Sequence, residues 1–197
     1  MGFRAEIRSF VGEGGRNGLL AVVGSWLALG AVYGLVNTAA VFQYHFSAHQ
    51  LASYSESDIS WIPSLQIFAV FFFSILVGPL FDRGQVRTLV ILGSLFLSLS
   101  TLLLTWCTAY FHFILAYSLG GLGGAFLSCP TFGCIARHFE HHRGLATAIA
   151  TTSPALFGVV FPVILDNTLP KLGFRWSCYI LFTVIVVLLL PAVLFLK

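Results

Sequence analysis

Very few side chains in this chain combine the type and the spacing that chemistry needs. His45 and His49 are four residues apart and would share one helical face as metal ligands. A zinc-type site takes three or four protein ligands, and no third accompanies them, so they read as residues of a solvated outer loop and no metal is implied. There is no His-Glu-x-x-His string, no pair of aspartates inside an apolar stretch and no serine–histidine arrangement at that depth. No catalytic residue is therefore assigned, and the chain does not read as an enzyme. Gly121-Leu122-Gly123-Gly124 superficially suggests a dinucleotide loop, but Phe126 stands where glycine or alanine is required, so no cofactor is implied. What remains is sparse. Tyr33 and Asn37 are four apart and share a face, Tyr117 precedes a glycine cluster, Gln66 lies in an apolar run, and Asp82-Arg83 is followed by Gly84 and Arg87. At the C-terminal end of a helix the helix dipole disfavours an anion, so Asp82 needs a positive partner, for which Arg83 and Arg87 are at hand.

The elements that must position these residues are six long apolar stretches: Leu19–Phe42, Trp61–Phe81, Thr88–Trp106, Phe111–Ala136, Leu145–Leu165 and Trp176–Leu196. A helix of about 20 residues crosses a hydrocarbon core of roughly 30 Å, and each stretch is long enough. Besides Tyr and Cys, the only titratable side chain within those limits is His112. The chain carries 9% charged residues against roughly 25% in soluble domains, and its mean hydropathy is +0.94. These features predict an all-α membrane protein, with residues 1–17 as a cytoplasmic N-terminal segment and 18–197 as a six-helix transmembrane domain. The net charge of +3 is a matter of topology, and no nucleic-acid partner is implied. With the N-terminus inside, Arg4, Arg8, Arg16, Arg83, Arg87, Arg137, Arg143 and Lys197 fall on the inner side, and only Lys171 and Arg175 on the outer. That bias places both termini in the cytoplasm. The first apolar run is about twice a signal-peptide core of roughly 7–15 residues, so no cleavable signal is expected.

The joints add detail. Gln43–Ser60 reads as an 18-residue acidic outer loop, with Ser57 or Asp58 able to cap the second span. Asn167–Arg175 reads as the last outer joint, broken by Pro170 and Gly173. Gly30 and Gly34 on the first span, and Gly120 and Gly124 on the fourth, are spaced for close helix packing. Pro130, Pro154 and Pro162 free backbone carbonyls, which neighbouring Ser and Thr hydroxyls could satisfy. The four cysteines form no Cys-x-x-Cys pair. Cys107 and Cys178 both fall near the outer face, but no spacing pattern supports a disulfide.

Between the second and third spans, Gly78-Pro79-Leu80-Phe81-Asp82-Arg83-Gly84-Gln85-Val86-Arg87 resembles the signature cytoplasmic loop of the major facilitator superfamily, with one residue fewer before the glycine and one basic residue after it. Glu13-Gly14-Gly15 resembles the acidic-Gly-Gly motif of the monocarboxylate transporter family, although Arg16 stands where an aromatic residue normally follows. His138-Phe139-Glu140-His141-His142-Arg143-Gly144-Leu145-Ala146 is similar to that family's second motif, with Phe139, Arg143, Leu145 and Ala146 matching and His141 and His142 replacing basic residues. VNTAAVFQ, SDISWIPSLQ and GFRWS resemble the fungal members.

The resemblance implies half of a twelve-helix carrier, itself two inverted three-helix repeats, moving a small organic solute by alternating access beside a second six-helix half. The plasma membrane is the expected location, and membrane lipid the surrounding partner. Tyr33, Asn37, Tyr117 and Gln66 become the candidates for facing solute. Gly78, Asp82, Arg83, Gly84 and Arg87 become a conformational latch, with a helix end of the other half as a further partner for Asp82. Asn37 stands where animal monocarboxylate carriers have a lysine that pairs with the substrate carboxylate, and Tyr117 stands where many antiporters carry an arginine. The alternative is a non-transporting six-helix membrane protein that regulates or scaffolds a full-length carrier.

Overall fold

The structure, a computed structural model, describes residues 3–196, with side chains from Ser9 onward. The side chains of Arg4, Arg8 and Lys197, which contribute to the charge bias, lie outside the described residues. Among those described there are six helices in chain order: α1 (Phe3–Asn37), α2 (Ala39–Ala48), α3 (Glu56–Asp82), α4 (Val86–Leu104), α5 (Tyr110–His138) and α6 (Arg143–Phe195). Five apolar helical segments are long enough to cross a membrane, the first of them running through α1 and α2.

The helices do not coincide with the six expected stretches, and the larger differences in the outer joints have local causes. The first stretch breaks at Thr38, whose hydroxyl turns back to donate to the Leu35 carbonyl at 2.6 Å, and helix resumes as α2. The expected 18-residue outer loop is therefore helical as far as Ala48. Helix α3 starts a turn before Trp61. Ser55, rather than Ser57 or Asp58, is its cap: the Ser55 hydroxyl accepts from the Asp58 amide, and Asp58 returns the favour to the Ser55 amide. Such a box is worth about 1 kcal/mol, and Glu56 and Asp58 suit the positive end of the helix dipole.

The fifth and sixth stretches merge into α6, whose 53 residues would extend about 80 Å if straight. They are not straight. Gly173 has φ 79° and ψ 171°, which only glycine adopts without strain, and it divides α6 into two arms. Pro170 lies inside the first arm, so the expected Asn167–Arg175 joint shrinks to Gly173 alone. Along α1, Gly24 faces Ala192, Phe195 and Leu196 of the second arm, while Gly30 faces Ser153 and Phe157 of the first. The two arms therefore fold back beside each other along α1. Where the chain reverses, Phe174 meets Phe42, Phe46 and Phe113, with ring centroids 5.8–6.3 Å apart. Aromatic pairs of this kind contribute about 0.5–1.5 kcal/mol each.

Helix α5 lies at the centre, touching α1, α3 and α4. In lipid, helices gain little from hiding apolar surface and associate through close packing, which small residues permit. Gly120, Gly121, Gly123 and Gly124 do this in several directions at once. An added Cβ at Gly121 would meet Gln66 and Ala69 of α3, at Gly123 Leu97 and Gly93 of α4, and at Gly124 Val70 of α3 and Val32 of α1. The glycine string superficially like a nucleotide loop is thus a helical packing surface. Gly30 and Gly34 face α6 rather than α5. The hydroxyls near the prolines bond next to the freed carbonyls of Phe126 and Ala150: Thr131 donates to Leu127, and Thr152 to Ile149.

Candidate functional site

The Asn37 side chain turns back along α1 to the backbone of Tyr33. The Asn37 amide donates to the Tyr33 carbonyl at 2.8 Å, which fixes the side chain against its own helix and leaves its oxygen free to accept. Asn37 is exposed and Tyr33 half-buried. Opposite them lies the first arm of α6, where the absence of a Cβ at Gly158 gives the Asn37 amide its room. About two turns before Tyr33 on α1, the Trp26 indole donates to the Thr152 hydroxyl at 3.0 Å and packs edge-on against Phe157 at 5.4 Å. The Ser153 hydroxyl, buried beside Gly30, has no hydrogen-bond partner. Trp26, Thr152, Ser153 and Phe157 join Asn37 and Tyr33 in one strip along the α1–α6 seam. The strip holds hydrogen-bonding groups of both senses and no acidic, basic or histidine side chain. The signals for the α6 side were the run Thr151-Thr152-Ser153 within an apolar stretch and the Gly30/Gly34 spacing, which marked a close seam without naming its partner.

Tyr117 and Gln66 are placed differently. Each is 2% exposed, and the Tyr117 hydroxyl and Gln66 Oε1 have no hydrogen-bond partner. Gln66 approaches Gly120, where Ser100 also converges, while Tyr117 lies in the neighbourhood of Cys107 and Cys178. Neither is hydrogen-bonded to Tyr33 or Asn37. All four cysteines are free. The rings of His45 and His49 stack on each other at 4.4 Å, and His45 stacks on Phe174 at 5.4 Å, so this histidine pair belongs to the aromatic cluster at the chain reversal.

In the signature loop, the Gly84 amide donates to the Phe81 carbonyl at 2.9 Å and closes the turn. Asp82, Arg83 and Arg87 are exposed. Among the described residues, Asp82 has no ion pair or hydrogen bond, so neither Arg83 nor Arg87 holds it within this chain. The neighbouring Phe81 is anchored instead: its ring covers Gly133 of α5, and Arg137 caps it. Gly78 has open space where a Cβ would go. In the second motif, Phe139 and Ala146 are buried in a cluster with Phe10, Val22, Leu29, Ile135 and Ala150, whereas Arg143 and Leu145 are exposed.

Comparison with known proteins gives the family. The family model of the Major Facilitator Superfamily matches residues 17–197. The chain is 39% identical to the MFS-type transporter pytF of Aspergillus terreus, over 91% of this chain and 61% of that protein. It is 33% identical to the aspyridones efflux protein apdF of Emericella nidulans, over 84% and 34% of the respective chains. It is 36% identical to the riboflavin transporter MCH5 of Saccharomyces cerevisiae, over 87% and 34%. The chain thus spans from about a third to under two thirds of the length of these relatives. With apolar helices long enough to span a bilayer, the signature loop between α3 and α4, and a family match over nearly its whole length, this chain belongs to the major facilitator superfamily of membrane transporters.

Proposed function

We propose that this chain is one half of a monocarboxylate-porter-like secondary carrier, crossing the plasma membrane six times with both termini in the cytoplasm. The break at Gly173 and the two arms of α6 side by side along α1 support six crossings rather than five. Alternating access then needs a second six-helix half. The exposed apolar face of α3, where Phe68, Phe71 and Ile75 are 61%, 61% and 75% exposed, faces that half or lipid. Asp82, exposed and unpaired here, meets a helix end of the same half.

The observation that carries the solute reading is the uncharged α1–α6 strip around Asn37. A carboxylate taken from water into that strip would find hydrogen bonds but no counter-charge, and an unpaired buried charge is costly. The strip suits a small organic solute recognised through hydrogen bonds and ring contact rather than through a carboxylate. Tyr117 and Gln66, orphaned at depth, are the second rank of solute-facing candidates; a tilt between helices would expose them.

The test is reconstitution. Vesicles containing this chain alone should show no saturable uptake of labelled riboflavin above empty vesicles, and joining it to a matching second half should restore saturable uptake of some member of a panel of neutral ring-bearing solutes. In the joined protein, Asn37→Ala should raise KM at least about tenfold, the equivalent of roughly 1.4 kcal/mol of lost binding. Robust uptake by the chain alone, or a joined protein whose KM ignores Asn37, would reject the proposal.

A further inference from the structure

The N-terminal Glu13-Gly14-Gly15 and the joint between α5 and α6 are about 125 residues apart, yet they form a single structure. The Glu13 carboxylate accepts from three consecutive backbone amides: Oε1 from Glu140 at 2.7 Å and from His141 at 2.6 Å, and Oε2 from His142 at 3.1 Å. Successive amides that converge in this way form an anion-binding nest, and this one lies immediately ahead of α6, at the positive end of its dipole. Helix α6 has no cap of its own: His142 at its N-cap makes no side-chain cap bond, and its first turn carries no acidic residue. Glu13 supplies from α1 the negative charge that α6 lacks.

The residues around Glu13 complete the fit. Phe10 stacks on Phe139 with centroids 4.8 Å apart and planes 11° apart. His142 sits edge-on to Phe10 at 6.2 Å, within 2.6 Å of the Ser9 hydroxyl and 3.9 Å from the Glu13 carboxylate. The two glycines serve different ends. At Gly14 the Phe139 ring occupies the space where a Cβ would be. At Gly15 nothing lies within 4 Å, but φ is 54° and ψ −162°, a region open only to glycine. Gly14 admits the ring, and Gly15 makes the elbow that turns residues 9–14 onto the joint.

We propose that Phe10–Gly15 is an intramolecular clip, with Glu13 as a positioning residue that ties the cytoplasmic start of α6 to that of α1. Beyond the clip, Ala146 and Ala150 are the buried residues of the first turns of α6, while Arg143, Gly144, Leu145, Ala148 and Ile149 are exposed. The clip makes both walls of the Asn37 strip move as one body. Its transport consequence rests on the carrier reading above; the clip itself does not.

The experiment is amide hydrogen exchange on this chain in lipid nanodiscs. Glu13→Gln keeps the side-chain size but removes the charge and one acceptor oxygen. It should speed exchange at residues 140–142 at least about tenfold and leave α4 unchanged. Gly15→Ala, which meets no neighbour, should do the same by straining the elbow, and it serves as the second test should the Gln variant fail to fold. Arg16→Gln, an exposed neutralisation outside the clip, should change neither. In the protein joined to a second half, Glu13→Gln should lower the turnover rate with KM within twofold, and Glu13→Asp should recover part of it. Unchanged exchange at 140–142 in both Glu13→Gln and Gly15→Ala would overturn the clip, whatever the transport assay gives. Faster exchange with unaltered turnover in an active joined protein would overturn its positioning role alone.

Discussion

The Arg137 guanidinium lies 4.3 Å from the centroid of the Phe81 ring and donates to the Phe81 carbonyl at 3.3 Å. One side chain of α5 thus holds both the ring and the backbone of the residue that precedes Asp82. Gly133, one turn earlier on α5, provides the floor beneath the ring. The signature loop is accordingly fixed from below, through Phe81, while its charged residues stay free to engage something outside this chain.

The first prediction follows from that arrangement. Cation–π contacts at exposed sites are worth about 0.5–1 kcal/mol, and a hydrogen bond from a charged donor adds a comparable amount. Arg137→Ala should therefore let the turn open several-fold more often. Trypsin cleavage after Arg83 and Arg87 under native conditions reports that opening. Cleavage should speed up about three- to tenfold in Arg137→Ala and only partly in Arg137→Lys, whose ammonium keeps the charge but lacks the planar fork. Equal cleavage rates in all three proteins would show that Phe81 is held by Gly133 alone.

Much of this architecture could be read from the sequence, and what escaped has a common cause. Apolar length revealed the long helices, because a bilayer imposes it through strong and local physics. The spacing of Tyr33 and Asn37 was legible because helical periodicity is also local. The partner of Gly30 and Gly34 was not legible: glycine spacing announces a close approach but not which helix approaches, and it proved to be α6. Ser55 was overlooked as the cap of α3 because the apolar run begins only at Trp61, while capping and dipole preferences extend the helix outward past it. The bond between Glu13 and the amides of residues 140–142 had no local signal at all. Two motifs were visible separately, and only the folded chain brings them together.

The second prediction contrasts two glycines. At Gly124 a Cβ would lie 2.9 Å from Val70 and 3.0 Å from Val32, neither of which can yield without disturbing α3 or α1. At Gly78 there is nothing within 4 Å. Gly124→Leu should lower the detergent melting temperature by several degrees, as overpacking typically costs about 1–3 kcal/mol. Gly78→Ala should leave it unchanged or raise it slightly, since alanine favours helix over glycine by up to about 1 kcal/mol. A melting temperature that ignored Gly124→Leu would place that glycine against lipid rather than at the junction of three helices.

The third prediction concerns orientation and uses one native thiol as an internal control. Cys107 lies in the joint between α4 and α5, where burial pushes its thiol up to about 11. A thiol reacts as thiolate, so at pH 7.5 its reactive fraction is roughly three orders of magnitude below that of a group titrating near ambient pH. Raising the pH toward 11 should increase its reactivity, and unfolding in SDS should restore that of an ordinary thiol. Native Cys107 should therefore remain unlabelled by a membrane-impermeant maleimide in intact cells, even with the α4–α5 joint on the outer side as the proposed orientation has it. Ser53 and Ser57 are exposed, and neither is the α3 cap. A cysteine at either position should label from outside within minutes, while a cysteine replacing exposed Gln85 in the basic joint between α3 and α4 should label only after permeabilisation. The opposite pattern would invert the orientation inferred from the distribution of arginine and lysine, and with it the assignment of the Glu13 clip to the cytoplasmic face.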